Sequence, residues 1–148
     1  MLRQLLIGAL ASAAMMVSTS AFAQGTAAEA QAMLDKAVAA VKADKAKAIA
    51  SFNAGTDGFK DRDLYPFCFN LSDGINVAGP ESVRGKDVRT IKDAAGKAFG
   101  EDLYKAAQDG KVNEVNYTFP KPGATEPSPK VSFVTKAGDL GCGVGYYK

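Results

Sequence analysis

Histidine and tryptophan are absent from this 148-residue chain, and cysteine occurs only twice. The lack of histidine removes the commonest general base, the commonest zinc ligand and the usual haem ligand together. Cys68 and Cys142 alone make a poor metal site, and with no CxxC spacing and no histidine to activate a thiol, neither redox nor nucleophilic catalysis is expected. Charge of one sign is missing as well. With 18 Lys and Arg against 16 Asp and Glu, and no basic stripe interleaved with aromatics, nucleic acid is not an expected partner. No cofactor is expected, and Asp57, Asp61 and Asp63 lack the central Gly and terminal Glu of a calcium loop.

Long apolar runs are scarce too. The longest, Leu5 to Val17, is shorter than the ~20 residues a bilayer needs. It lies between Met1-Leu2-Arg3 and the small-x-small site Ala21-Phe22-Ala23, which is the three-part layout of an export signal. Cleavage after Ala23 is expected, which leaves residues 24–148 as one domain in the periplasm or secreted, with no membrane span. In an oxidising compartment an even cysteine count favours a disulfide, two buried thiols being the alternative.

From Thr26 to about Phe52, Met33, Leu34, Ala37, Val38, Val41, Ala48, Ile49 and Phe52 recur near a helical period, so one amphipathic helix is expected, with Thr26 and Glu29 as a capping box. After Gly58 alternation takes over. Tyr65, Phe67, Phe69 and Leu71 point to one side of a first strand that ends at Ser72-Asp73-Gly74, and Ile75 to Pro80 forms a short second strand. Pro66 has no amide donor and belongs at the strand's start or at an unpaired position. Glycines 85, 96 and 100 divide the next stretch into two short helical pieces, Asp87 to Ala95 and Phe99 to Gln108. Strands are expected at Val112 to Phe119, Lys130 to Lys136 and Leu140 to Tyr147.

The last strand carries Leu140, Cys142, Val144 and Tyr146 on one face and Gly141, Gly143 and Gly145 on the other, until Tyr147. Such a row of glycines leaves a trough for large side chains or for a ligand. It is not a phosphate loop, because the glycines alternate in a strand context instead of forming a turn that opens onto a helix. If the first and last strands adjoin with Cys68 facing Cys142, parity sets Phe67 and Phe69 over the glycines.

Six segments in order resemble the single Cache domain of bacterial receptors, Cache type 2, a PAS-like extracytoplasmic sensor. They are Tyr65-Pro66-Phe67-Cys68-Phe69, Gly85-Lys86-Asp87, Asp93-Ala94-Ala95-Gly96, Tyr117 to Gly123, Pro129 to Phe133 and Gly143-Val144-Gly145-Tyr146. The resemblance implies an α+β fold, with a long N-terminal helix packed on a five-stranded antiparallel sheet whose first and fifth strands adjoin, and with short helices between strands 2 and 3. It places Cys68 and Cys142 on adjoining strands, within reach of a disulfide. It also implies a pocket for a small metabolite, typically a short carboxylate, on the face away from the long helix. Family members usually sit between two membrane helices ahead of a signalling module, and here Phe119 and Phe133 stand where the family often has Trp and Tyr.

A carboxylate needs fixed, charge-assisted donors. Candidates are Arg84 and Arg89 in the helical connection, Tyr117 on the third strand beside Phe119, and Lys130 at the start of the fourth; Arg89, Tyr117, Phe119 and Lys130 form the expected ligand set. The expected function is a non-catalytic periplasmic module that binds a small molecule and is read by a membrane receptor or kinase partner. The alternative is a periplasmic protein-interaction or inhibitor module with no small ligand.

Overall fold

The computed structural model describes residues 23–148. Residues 1–22 of the expected export signal lie outside the described residues.

The amphipathic segment forms two helices, α1 (Ala27–Ala43) and α2 (Lys45–Ala54), where one had been expected. The break is at Asp44, whose backbone is extended and whose carboxylate accepts the Lys47 amide at 3.1 Å. An Asp followed by free amides is a better N-cap than a mid-helix residue, and here that preference outweighs the continuous apolar stripe. The Thr26–Glu29 capping box is present in both directions, with bonds of 3.2 and 2.8 Å. α2 ends at Gly55 in the left-handed region.

Five strands follow: β1 (Pro66–Asn70), β2 (Asn76–Ala78), β3 (Asn113–Pro120), β4 (Pro127–Ala137) and β5 (Leu140–Tyr147). They form one antiparallel sheet in the order β2-β1-β5-β4-β3, so the glycine-bearing strand is central and Pro66 opens an element, as a residue without a donor should. Asn53 fastens α2 to the sheet: its side chain donates to the Val77 carbonyl at 3.0 Å and accepts the Gly79 amide at 3.1 Å.

Between β2 and β3 the expected pair of helical pieces is only partly realised. Val88–Thr90 is a single 3-10 turn, and the one α-helix is α3 (Phe99–Ala106). Residues 91–98 are irregular because the Asp93 carboxylate accepts the amides of Ala95 and Lys97 at 3.0 and 2.9 Å, an arrangement that competes with helix, and Gly96 follows at φ +83. α3 then closes tightly on the turn, since a Cβ at Gly100 would lie 1.8 Å from the Val88 carbonyl oxygen.

The sheet separates two cores. α1 and α2 cover one face through Leu34, Ala37, Val41 and Phe52 against Phe133, Leu140 and Val144. α3 and the turn before it cover the other, where Phe67, Phe69, Val88, Leu103, Val115 and Val134 gather. Cys68 pairs with Cys142 in register on the α1 side, and the two form a disulfide with Cα atoms 4.2 Å apart. On the opposite side Phe67 lies across from Gly143 and Phe69 across from Gly141. Their rings occupy the glycine trough, 2.4 Å from where each missing Cβ would stand.

Two outcomes follow from this packing. The bridge spans 74 residues of sequence, and a loop of that size is worth about 4 kcal/mol on the chain-entropy account; reduction should therefore lower the thermal midpoint markedly, and alkylation of unreduced, denatured protein should find no thiol. Gly143→Ala would set a methyl against both the Phe67 ring and, at 2.9 Å, the Phe133 carbonyl oxygen, which cannot yield. A loss of about 1–3 kcal/mol is expected in denaturant titration, and an unchanged midpoint would contradict the trough packing.

Candidate functional site

The third glycine of the trough, Gly145, is covered by a lysine. β4 lies beside β5 with Ser132 opposite Gly145 and Lys130 opposite Tyr147, so Lys130 and Ser132 share the α3 side of the sheet. The Lys130 stem crosses the vacant Cβ position of Gly145, with Cε 2.4 Å from it. The amine thus runs inward over the sheet, and Lys130 is only 2% exposed.

Its Nζ donates to the Tyr65 hydroxyl at 2.9 Å. Rings surround it: the centroids of Tyr65, Tyr147, Phe119, Phe67 and Tyr117 lie 4.4, 5.1, 5.4, 6.0 and 6.0 Å from the nitrogen. Ring faces attract a cation and so offset part of its desolvation. Among the described residues no carboxylate lies in ion-pair range of this amine; Asp63 acts on it only from a distance. Burial therefore dominates and lowers its pKa to about 7, with Asp63 pulling the other way. The three tyrosines move upward, chiefly by burial: Tyr147 to about 12, Tyr65 and Tyr117 further, so all remain phenols at neutral pH.

Each ring is fixed by its own contacts. Tyr117 stacks on Phe99, the first residue of α3, at 4.4 Å, and shares a 2.8 Å hydrogen bond with Ser132. Phe119 meets the same Phe99 edge-on at 6.2 Å. Tyr147 donates to the Pro120 carbonyl at 2.7 Å. Between these groups and the turn at Val88 lies a cavity of about 30 Å³. Tyr65, Phe67, Phe99, Tyr117, Phe119 and Lys130 line it, and Asn76 adds a polar group. Tyr65, Pro80 and Phe119 also border a larger outer groove of about 530 Å³, open to solvent, in which Arg62 and Arg84 are engaged by acidic neighbours.

Three of the four residues expected to form the ligand set, Tyr117, Phe119 and Lys130, thus meet around one cavity. Arg89 is placed elsewhere. Its guanidinium makes bonds of 2.9 and 2.6 Å to Asp87 and one of 2.7 Å to the Asp73 carbonyl, lies over Tyr104, and holds Asp87 below the ordinary carboxylate range. Arg84 pairs with Glu81 at 3.2 Å on the rim of the outer groove. Sequence reasoning missed Tyr65, Tyr147 and Ser132 as members of the site. The signal was present in the alternation, which sets Tyr65 on the side of Phe67 and Tyr147 on the side of the glycines.

Comparison with known proteins adds to this geometry. Among solved structures, a methyl-accepting chemotaxis protein from Vibrio parahaemolyticus is similar at 26% identity and a TM-score of 0.65, covering 81% of this chain and 86% of that one. A Cache chemosensory domain described as recognising carboxylic acids is similar at 26% identity and a TM-score of 0.57, covering 79% and 84%. A periplasmic sensor domain of a chemotaxis protein, at 24% identity and a TM-score of 0.60 over 79% and 86%, shares the fold. No curated protein matches the chain. The family model described as single Cache domain 2 matches residues 2–147, and with the five-stranded sheet, its helical cover and the cavity beneath α3, this shows that the chain belongs to the single Cache domain 2 family.

Proposed function

We propose that residues 24–148 form one exported, periplasmic domain that binds a small carboxylate reversibly in the cavity beside Lys130, without transforming it, and that a membrane receptor or kinase reads the bound state. The observation that carries this reading is a buried amine with no carboxylate of its own. A buried cation is costly unless paired, so an incoming carboxylate supplies the partner that the fold leaves out. The aromatic walls accept the ligand's carbon, while Tyr117, Tyr65 and Asn76 offer polar contacts. The solved relative that recognises carboxylic acids supports the ligand class, and the chemotaxis relatives support a sensory role. The interaction-module alternative gains little, since among the described residues Val112 is the one large apolar side chain left exposed.

The cavity is small. By the measure in which one water takes roughly 10–15 Å³, about 30 Å³ corresponds to two or three waters, so acetate, among the smallest carboxylates, is the probe that suits it. Acetate at a hundred times its dissociation constant should raise stability by about 2.7 kcal/mol, read as a higher thermal midpoint. Lys130→Met should weaken binding by about 1.5–3 kcal/mol and Tyr117→Phe by about 0.5–1.5 kcal/mol. Arg89→Ala, whose guanidinium is held by Asp87, should leave affinity nearly unchanged. A screen of short acids that gives no stabilisation at all would overturn the reading.

The pH dependence has a definite sign. Below pH 7 Lys130 is already charged in the free domain and acid binding moves no proton; above it the amine is neutral until a carboxylate recharges it. Affinity should therefore be flat between about pH 5, where the ligand's own carboxyl group titrates, and about pH 7, and fall by up to about tenfold per unit as pH rises further, while uptake approaches one proton per ligand. Calorimetry in buffers of different ionisation enthalpy measures that uptake. Tyr65, Tyr117 and Tyr147 do not titrate in this window, because all three are shifted upward.

A further inference from the structure

Lys130 has the features of a nucleophile as well as those of an anchor. Its Nζ is enclosed by rings and donates to the neutral hydroxyl of Tyr65 at 2.9 Å, and Lys130 is one of the residues that line the cavity. Nothing of opposite charge holds the amine as a cation: Tyr65, Tyr117 and Tyr147 face it as phenols, and Asp63 is the one carboxylate whose charge is felt. Desolvated lysines in apolar pockets are the ones that form imines with carbonyl compounds.

We propose that Lys130 is a reversible covalent site for two-carbon carbonyl compounds, an aldehyde or a 2-oxo acid, which it captures as an imine. The inference rests on the reading that this cavity is the ligand site, but not on the amine acting there as a cation. The Nζ lone pair adds to the carbonyl carbon, and the carbonyl π pair moves to oxygen. One amine proton passes to that oxygen, with the Tyr65 hydroxyl within reach of the nitrogen to relay it. The resulting carbinolamine then expels its oxygen as water, taking the second amine proton, as the nitrogen lone pair closes the C=N bond. One carbonyl and one amine give one imine and one water, with no oxidant or reductant, and added water reverses the step. Protonation of the imine leaves a cation in the place where the five rings already face Nζ, so the same cage stabilises the product.

The test uses glyoxylate with cyanoborohydride at about pH 7, followed by intact mass and peptide mapping. The reagent converts an imine into a stable secondary amine. An amine titrating near pH 7 is far more often neutral than an exposed lysine near 10.4, so Lys130 should be labelled at least about tenfold faster than the exposed lysines. Acetate should slow that labelling, and unfolding the chain should abolish the preference. Lys130→Met should lose the fast adduct, while the wild-type competition by acetate stands without any variant. Equal labelling across exposed lysines with Lys130 unmodified would overturn the inference. In that case a thermal shift with acetate in the same sample leaves carboxylate binding standing, and its absence removes both. Fast labelling at Lys130 without any acetate shift supports the covalent site and removes only the carboxylate reading.

Discussion

Three missing Cβ atoms on the central strand govern what both faces of this sheet can hold. Gly141, Gly143 and Gly145 all present bare backbone toward α3, and each vacancy is filled by a neighbour's side chain: Phe69, Phe67 and the Lys130 stem in turn. Any Cβ there would lift those groups away from the sheet by more than close packing permits. The other side of the same strand carries Cys142 and Val144, both wholly buried, the first bridged to Cys68 and the second packed with α1 and α2. One strand thus serves as a plain core element on one side and as a floor for large side chains on the other. The alternation that separates the two roles is the two-residue period of β structure itself.

Placing Lys130 over Gly145 settles its chemistry. A lysine on an ordinary strand projects toward water and keeps its charge there. Here the stem lies along the sheet, the head stops among five rings, and the water it loses is replaced by ring faces and one phenol. Ring faces recover part of the lost solvation but do not equal a carboxylate, which is why burial still dominates its titration. The amine is therefore poised between its charged and neutral forms near neutral pH. Both modes of ligand capture proposed above draw on that single property, one on the charged form and one on the neutral.

Much of this was legible from residue order. The strand alternation gave the two faces of β1 and β5, the parity argument set Phe67 and Phe69 over the glycines, and the ordered motifs pointed to the five-stranded fold. What could not be read had local physical causes. Asp44 captures an amide and divides a helix whose apolar period runs straight through it. Asp93 does the same to residues 91–98. Arg89 looked available for a ligand, but Asp87, two residues earlier, takes its guanidinium. Such short-range competition depends on rotamers and backbone angles that a pattern of residue types does not contain. The burial of Lys130 was the hardest to foresee, because it needs the register of β4 against β5: Lys130 sits level with Tyr147, and only the leaning stem reaches back over Gly145.

The position of the cavity bears on how occupancy could be read. Its floor is built from Phe67 of β1, Tyr117 and Phe119 of β3 and Lys130 of β4, in the sheet whose opposite face carries Phe133, Leu140 and Val144 into the core beneath α1. Its roof is α3 and the Val88 turn, which touch the sheet through Phe99, Leu103 and Tyr117 and are preceded by an irregular segment with few backbone bonds of its own. The floor is constrained by the strand ladders on either side of β5 and by the disulfide; the roof is held by separate bonds, from the Val88 amide to the Gly74 carbonyl at 2.8 Å, from the Tyr104 hydroxyl to the Leu71 carbonyl at 2.5 Å and from Lys97 Nζ to the Asn116 carbonyl at 2.6 Å. A ligand that pairs with Lys130 and presses on Phe119 or Phe99 therefore meets a stiff surface below and a more yielding one above. Displacement should concentrate in the connection between β2 and β3, since local openings favour segments with few buried contacts. On the proposed reading, that connection is the part of the molecule a partner would sense, while α1 and the sheet hold the frame against which it moves.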